Sequence, residues 1–146
     1  MNIKWCVVLA SVVMTSVTLP STAEADTPLW QTHTYEASLH CSPQTTLQPS
    51  QFLLPGWTIW SADGRYKMTL QYDGNLVLYR AGRGGVALWS SMTNGLPIEI
   101  AIMQSDGNLV LYDYSKTPRW ASWTNGNPGA YLALQCDGNV VIYGRD

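Results

Sequence analysis

One nine-residue pattern recurs three times in this chain: Gln71-Tyr72-Asp73-Gly74-Asn75-Leu76-Val77-Leu78-Tyr79, Gln104-Ser105-Asp106-Gly107-Asn108-Leu109-Val110-Leu111-Tyr112 and Gln135-Cys136-Asp137-Gly138-Asn139-Val140-Val141-Ile142-Tyr143. The second position changes freely, whereas Gln, Asp, Gly, Asn, Val and Tyr stay. The copies begin 33 and then 31 residues apart. Such a period marks an architecture of one supersecondary unit per copy, each burying its apolar face against its neighbours.

After residue 25 no stretch keeps a helical period; short alternating runs are punctuated by Asn-Gly and Asp-Gly, as in an all-β chain. Each motif sits on a hairpin whose turn can be deduced. A two-residue Asp-Gly turn would pair Gln71 with Leu76 and put a polar side chain on the apolar face. A three-residue loop, Tyr72-Asp73-Gly74, closes with glycine in the left-handed region. It pairs Gln71 with Asn75, Thr69 with Val77 and Lys67 with Tyr79, and on the other face Leu70 with Leu76 and Met68 with Leu78. The same register pairs Met103 with Leu109 and Leu134 with Val140, so one turn sorts all three hairpins.

A further strand follows the first two motifs: Ala87 to Gly95, containing Trp89 and Thr93, matches Pro118 to Gly126, containing Trp120 and Thr124. Nothing equivalent follows the third motif. It occurs at the other end, where Pro28-Leu29-Trp30-Gln31-Thr32-His33-Thr34 repeats the Trp and the Thr four residues on. The N-terminal segment is therefore expected to close the third unit. Three sheets about a pseudo-threefold axis would put Trp30, Trp89 and Trp120 in equivalent, buried, inward positions. Trp57, Trp60 and Trp123 have no counterpart in every copy and read as local packing or interface residues.

Lys4, an apolar run from Trp5 to about Val17, Pro20 and Ala23-Glu24-Ala25 have the layout of a secretory signal peptide, residues 1–25. Residues 26–146 then form a single domain, secreted to the extracellular space, or to the periplasm if bacterial. Net charge is −2, with no basic block, so the footprint of a nucleic-acid binder is missing, and nothing beyond the leader suggests membrane insertion. Cys41 and Cys136 remain after cleavage and suggest one disulfide; two unpaired thiols are the alternative. A bridge would close a loop worth roughly 4–5 kcal/mol on loop-entropy grounds.

The polar side chains of each hairpin form a cluster of carboxylate, amides and phenol whose donors and acceptors match vicinal hydroxyls. Asp and Asn are depleted from strands, and turn chemistry explains Asp-Gly-Asn but not the recurring Gln and Tyr. No catalytic constellation emerges: the motif aspartates belong to separate hairpins, and the only histidines, His33 and His40, neighbour no nucleophile or metal-ligand set. No metal or other cofactor is expected.

Gln-x-Asp-x-Asn-x-Val-x-Tyr in triplicate, with Trp strands, resembles the bulb-type (monocot-type) mannose-binding lectins, over residues 45–146 and, with the displaced strand, 28–41. The resemblance implies an all-β fold, a β-prism of three four-stranded antiparallel sheets with pseudo-threefold symmetry, binding α-D-mannose or mannosylated glycans on each outer face without metal. It would assign Asp73 and Asn75 to the axial 2-hydroxyl, Gln71 to the 3-hydroxyl, Tyr79 to the 4-hydroxyl and Val77 to the ring carbons. Gln104, Asp106, Asn108, Val110 and Tyr112, and Gln135, Asp137, Asn139, Val141 and Tyr143, would repeat those roles. It also implies a Cys41–Cys136 bridge. The family often exchanges its last strand between subunits, so the Trp30 strand either folds back in its own chain or is donated, giving a strand-exchanged homodimer. Some relatives are antimicrobial or toxic, so a lectin-like toxin that uses the prism for docking is the alternative reading.

Overall fold

The computed structural model describes residues 28–32 and 45–145. The expected leader, His33, His40 and Cys41 lie outside these residues. The described residues form twelve strands and no helix: β1 Pro28–Gln31, β2 Thr45–Leu47, β3 Phe52–Leu53, β4 Thr58–Trp60, β5 Tyr66–Leu70, β6 Leu76–Arg80, β7 Val86–Ser90, β8 Ile98–Met103, β9 Leu109–Asp113, β10 Pro118–Ala121, β11 Tyr131–Leu134 and β12 Val140–Tyr143. They pair into three four-stranded antiparallel sheets, ordered β4-β5-β6-β7, β10-β9-β8-β3 and β1-β12-β11-β2.

The hairpin register agrees with the deduction. Lys67 faces Tyr79, Met68 faces Leu78, Thr69 faces Val77 and Leu70 faces Leu76. Met103 faces Leu109 and Leu134 faces Val140. The Gln71 N–H donates to the Asn75 carbonyl at 2.9 Å, and Gln104 and Gln135 do the same to Asn108 and Asn139 at 2.8 and 2.9 Å. Gly74, Gly107 and Gly138 close the loops at φ of 86°, 93° and 84°. A Cβ on Gly74 would also lie 2.1 Å from the Leu96 carbonyl oxygen, so the turn needs glycine for close approach as well as for its dihedral.

The displaced strand behaves as expected. β1 lies antiparallel to β12 of the same chain, with Trp30 opposite Ile142, as Trp89 is opposite Leu78 and Trp120 opposite Leu111. Each of these pairings contains a register shift beside its tryptophan, so even the irregularity is threefold. Residues 45–60 supply the fourth strand of every sheet in turn, β2 to the third repeat, β3 to the second and β4 to the first.

Alternation sends Met68, Leu70, Leu76, Leu78, Met103, Leu109, Leu111, Leu132, Leu134, Val140 and Ile142 into one fully buried core. The tryptophans depart from expectation: they are half-buried and pack against that core rather than forming its sealed centre. They meet one another edge to face, with centroids 5.4 Å apart for Trp30–Trp89, 5.8 Å for Trp30–Trp120 and 5.6 Å for Trp89–Trp120. T-shaped contact places the positive edge of one ring against the negative face of the next, an arrangement that three indoles satisfy cyclically. Aliphatic side chains thus provide the bulk burial, and the indole triangle ties the three sheets together.

Outside the repeat, Asp113 holds the β9–β10 turn. Its Oδ1 accepts the Thr117 and Ser115 backbone N–H groups, each at 2.9 Å, and its Oδ2 accepts Arg119 Nε at 2.7 Å. The Thr117 N–H and the Arg119 guanidinium hold the carboxyl below its usual range, although burial acts the other way.

Two outcomes are expected in urea denaturation. Trp89→Ala, which breaks two of the three indole contacts, costs about 3 kcal/mol. Asp113→Asn is less stable than the parent at pH 7. A depressed carboxyl contributes stability above its unfolded value of about 3.9 and loses it as pH falls through the lower folded value. The gap between Asp113→Asn and parent therefore narrows below about pH 4.

Candidate functional site

On β5 and β6 the core takes Met68, Leu70, Leu76 and Leu78, so alternation places Lys67, Thr69, Val77 and Tyr79 on the outer face, with Gln71 and Asn75 just beyond the strand ends. Gln71 Nε2 donates to the Tyr79 hydroxyl at 2.8 Å; Gln104 repeats this to Tyr112 at 3.0 Å and Gln135 to Tyr143 at 2.8 Å. Eight residues apart in sequence, amide and phenol are thus locked side by side across each hairpin. Val77, Val110 and Val141 lie beneath, almost fully buried, as an apolar floor.

At the turn, Asp73 Oδ1 accepts the Asn75 N–H, Asp106 that of Asn108 and Asp137 that of Asn139, each at 3.0 Å. One carboxylate oxygen thus fixes the loop. In the first two sites the other, Oδ2, has no hydrogen-bond partner among the described residues. Their aspartates are exposed, whereas Asp137 is half-buried.

The asparagines are oriented by groups on the Trp strands. Asn75 Oδ1 accepts Ser91 Oγ at 3.1 Å and the Thr93 N–H at 3.2 Å; Asn108 Oδ1 accepts Ser122 Oγ at 3.0 Å and the Thr124 N–H at 3.2 Å. The backbone N–H defines that atom as the carbonyl oxygen, so the amide nitrogen points away from the clamp. The serines also accept buried backbone donors, Leu76 N–H at 3.0 Å and Leu109 N–H at 2.9 Å. Thr93 and Thr124 hydroxyls bind the Gly74 and Gly107 carbonyls at 2.8 and 2.6 Å, completing the tie between turn and strand. In the third site Thr32 on the displaced segment substitutes: its Oγ1 accepts Val140 N–H at 3.0 Å and donates to Asn139 Oδ1 at 2.9 Å.

Every residue singled out from the motifs thus falls into one of three like clusters, one per sheet. The Ser/Thr clamp was not recognised from the sequence, though the repeated Thr four residues after each Trp was its visible sign. A row beside the first site was equally hidden: Trp60, Lys67 and Tyr79 are in register across three strands, and Lys67 Nζ lies 5.5 Å from both ring centroids. Of the unmatched tryptophans, Trp57 stacks on Phe52 at 5.9 Å, whereas Trp123 is 83% exposed and follows Ser122 at φ 59°, so local packing accounts for the first and not the second. Among the described residues no group of three or more His, Cys, Asp and Glu side chains converges as a metal site would.

No family model matches the chain. It is 45% identical to a mannose-specific lectin of Narcissus pseudonarcissus over 68 residues, 46% of this chain and 52% of that protein. It thus spans about half the length of the curated relatives it matches. Solved structures match more completely. The snowdrop (Galanthus nivalis) mannose-specific agglutinin, complexed with methyl-α-D-mannoside, is 40% identical with a TM-score of 0.62, over 69% of this chain and 90% of that one. A lectin from Allium sativum is 38% identical with a TM-score of 0.61, over 69% and 94%. The chain belongs to the bulb-type mannose-binding lectins, and its fold is their β-prism.

The clamp has a direct test. Ser122→Ala removes the acceptor of a buried N–H and one donor to Asn108, and should cost about 1–3 kcal/mol in chemical denaturation.

Proposed function

We propose that the protein is a secreted lectin that binds α-D-mannose or mannose-containing glycans on the outer faces of its prism. The observation that carries this reading is what the first two hairpins leave unbonded. After the bonds among the described residues are made, Asp Oδ2, Asn Nδ2, Gln Oε1 and the Tyr hydroxyl hydrogen remain for a ligand, above a valine floor. Vicinal hydroxyls, each a donor and an acceptor, match that set, and a pyranose ring's C–H face suits the valine. Two of the relatives, from Narcissus pseudonarcissus and Galanthus nivalis, are mannose-specific by name, the second complexed with a mannoside.

In this reading Asp73 and Asn75 take the axial 2-hydroxyl, Gln71 the 3-hydroxyl and Tyr79 the 4-hydroxyl, with Gln104, Asp106, Asn108 and Tyr112 as counterparts in the second site. Gln135, Asp137, Asn139 and Tyr143 form the third. Val77, Val110 and Val141 touch the ring. The protein binds without turnover, since each cluster holds a single motif carboxylate. A Cys41–Cys136 bridge would anchor the third turn, where Cys136 is fully buried.

A shallow site of this kind implies millimolar affinity for one sugar, about −4 kcal/mol. Several sites on one branched glycan would raise the effective affinity by orders of magnitude through effective concentration. Calorimetric titration with methyl α-D-mannoside should give millimolar binding, and methyl galactoside, with an equatorial 2-hydroxyl and an axial 4-hydroxyl, should give none. A protein carrying Gln71→Ala, Gln104→Ala and Gln135→Ala together should lose the mannoside signal. Flat heats at tens of millimolar mannoside (the range a site of this affinity would require) would rule the reading out.

A further inference from the structure

We infer that the three sites are not equivalent, because Gln31 competes with the ligand for the third one. This rests on the mannose-binding reading above and concerns how many sites act at a given sugar concentration. In the first two sites the asparagine Nδ2 has no partner among the described residues. In the third, Asn139 Nδ2 donates to Gln31 Oε1 at 3.0 Å.

The assignment of the two Asn139 atoms follows the other two repeats. Thr32 Oγ1 accepts the Val140 N–H and donates to Asn139 Oδ1, the orientation that a backbone N–H fixes for Asn75 and Asn108 in the first two sites, and the amide nitrogen faces Gln31. Burial gives a second sign of the same difference. Asn139 is 4% exposed, whereas Asn75 and Asn108 are half-buried.

The cause is a single position on the Trp strand. Gln31 follows Trp30 directly, as Ser90 follows Trp89 and Ala121 follows Trp120. Ala121 has no side-chain acceptor, and Ser90 Oγ turns to Met92 Sδ at 3.2 Å. Only Gln31 has both the reach and the carbonyl to take one of the two amide hydrogens and to cover the group as it does so. To reach that nearly buried amide a sugar must displace Gln31, which holds one of its two hydrogens, whereas the other two sites leave both without a partner among the described residues. The protein therefore acts as a two-site lectin at sugar concentrations that half-fill the first two sites.

The test follows the side-chain amide signals of Asn75, Asn108 and Asn139 in nitrogen–proton correlation spectra as methyl α-D-mannoside is added to the full-length mature protein. In the parent, Asn75 and Asn108 should titrate together and Asn139 should need about tenfold more sugar, equivalent to about 1.4 kcal/mol. In Gln31→Ala and Gln31→Ser, the latter copying Ser90, the Asn139 midpoint should fall to that of the other two. Unchanged titration of Asn75 and Asn108 in those variants verifies that the prism is intact. A parent in which all three move at one midpoint would overturn the inference and leave mannose binding standing, as would variants in which the tenfold gap persists. Silence at all three asparagines in the parent would remove both.

Discussion

The rest of the molecule is organised around one side-chain amide per repeat. Each motif asparagine lies just past a turn, where its backbone N–H is taken by the preceding aspartate and its side-chain oxygen by a hydroxyl from the Trp strand. That hydroxyl also satisfies a buried backbone donor of the hairpin, so the contact cannot be dropped without leaving a buried polar group unpaired. Turn, hairpin and closing strand are therefore fixed by one small network. The same network dictates which atom of the amide faces outward. In the first two repeats the oxygen thus holds the fold and the nitrogen is presented, whereas in the third the nitrogen meets Gln31.

The aliphatic core and the indole triangle make that coupling rigid. Alternation in the hairpins leaves no choice of face once the three-residue loop sets the register, because a slip of one residue would put Gln and Tyr into the core and Leu into water. Three sheets of this kind close on one another through their apolar faces, with the tryptophans in mutual edge-to-face contact at the join. The outer clusters consequently sit on strand ends and on short turns held by hydrogen bonds, an arrangement that limits the entropy lost when a small ligand is bound. In the proposed function, repetition supplies valency that offsets weak individual sites.

Much of this was legible because the sequence repeats itself. Gln71, Asn75 and Leu76 could be placed because one register had to serve three hairpins, and Trp30 could be matched to Trp89 and Trp120 despite its displacement. The short strands Thr45–Leu47, Phe52–Leu53 and Thr58–Trp60 were not individually legible, since two or three residues carry no period. The tryptophans were expected to be fully buried, but size alone does not say whether an indole sits in a core or at the edge of one. The role of Gln31 was hidden for another reason: a repeat comparison rewards what is shared, and Gln31 matters because Ser90 and Ala121 differ from it. Trp60 and Lys67 escaped similarly, being visible as a row only once the strands of the first sheet are set side by side.

The central claim is that the outward groups of each hairpin converge on one hexose. A crystal structure of the protein with methyl α-D-mannoside measures this most directly. The account predicts a sugar on the outer face of the first sheet, its 2-hydroxyl within hydrogen-bond distance of Asp73 Oδ2 and Asn75 Nδ2, its 3- and 4-hydroxyls on Gln71 and Tyr79, and its ring over Val77. The sugar bound elsewhere on the prism, with those five side chains untouched, would contradict it.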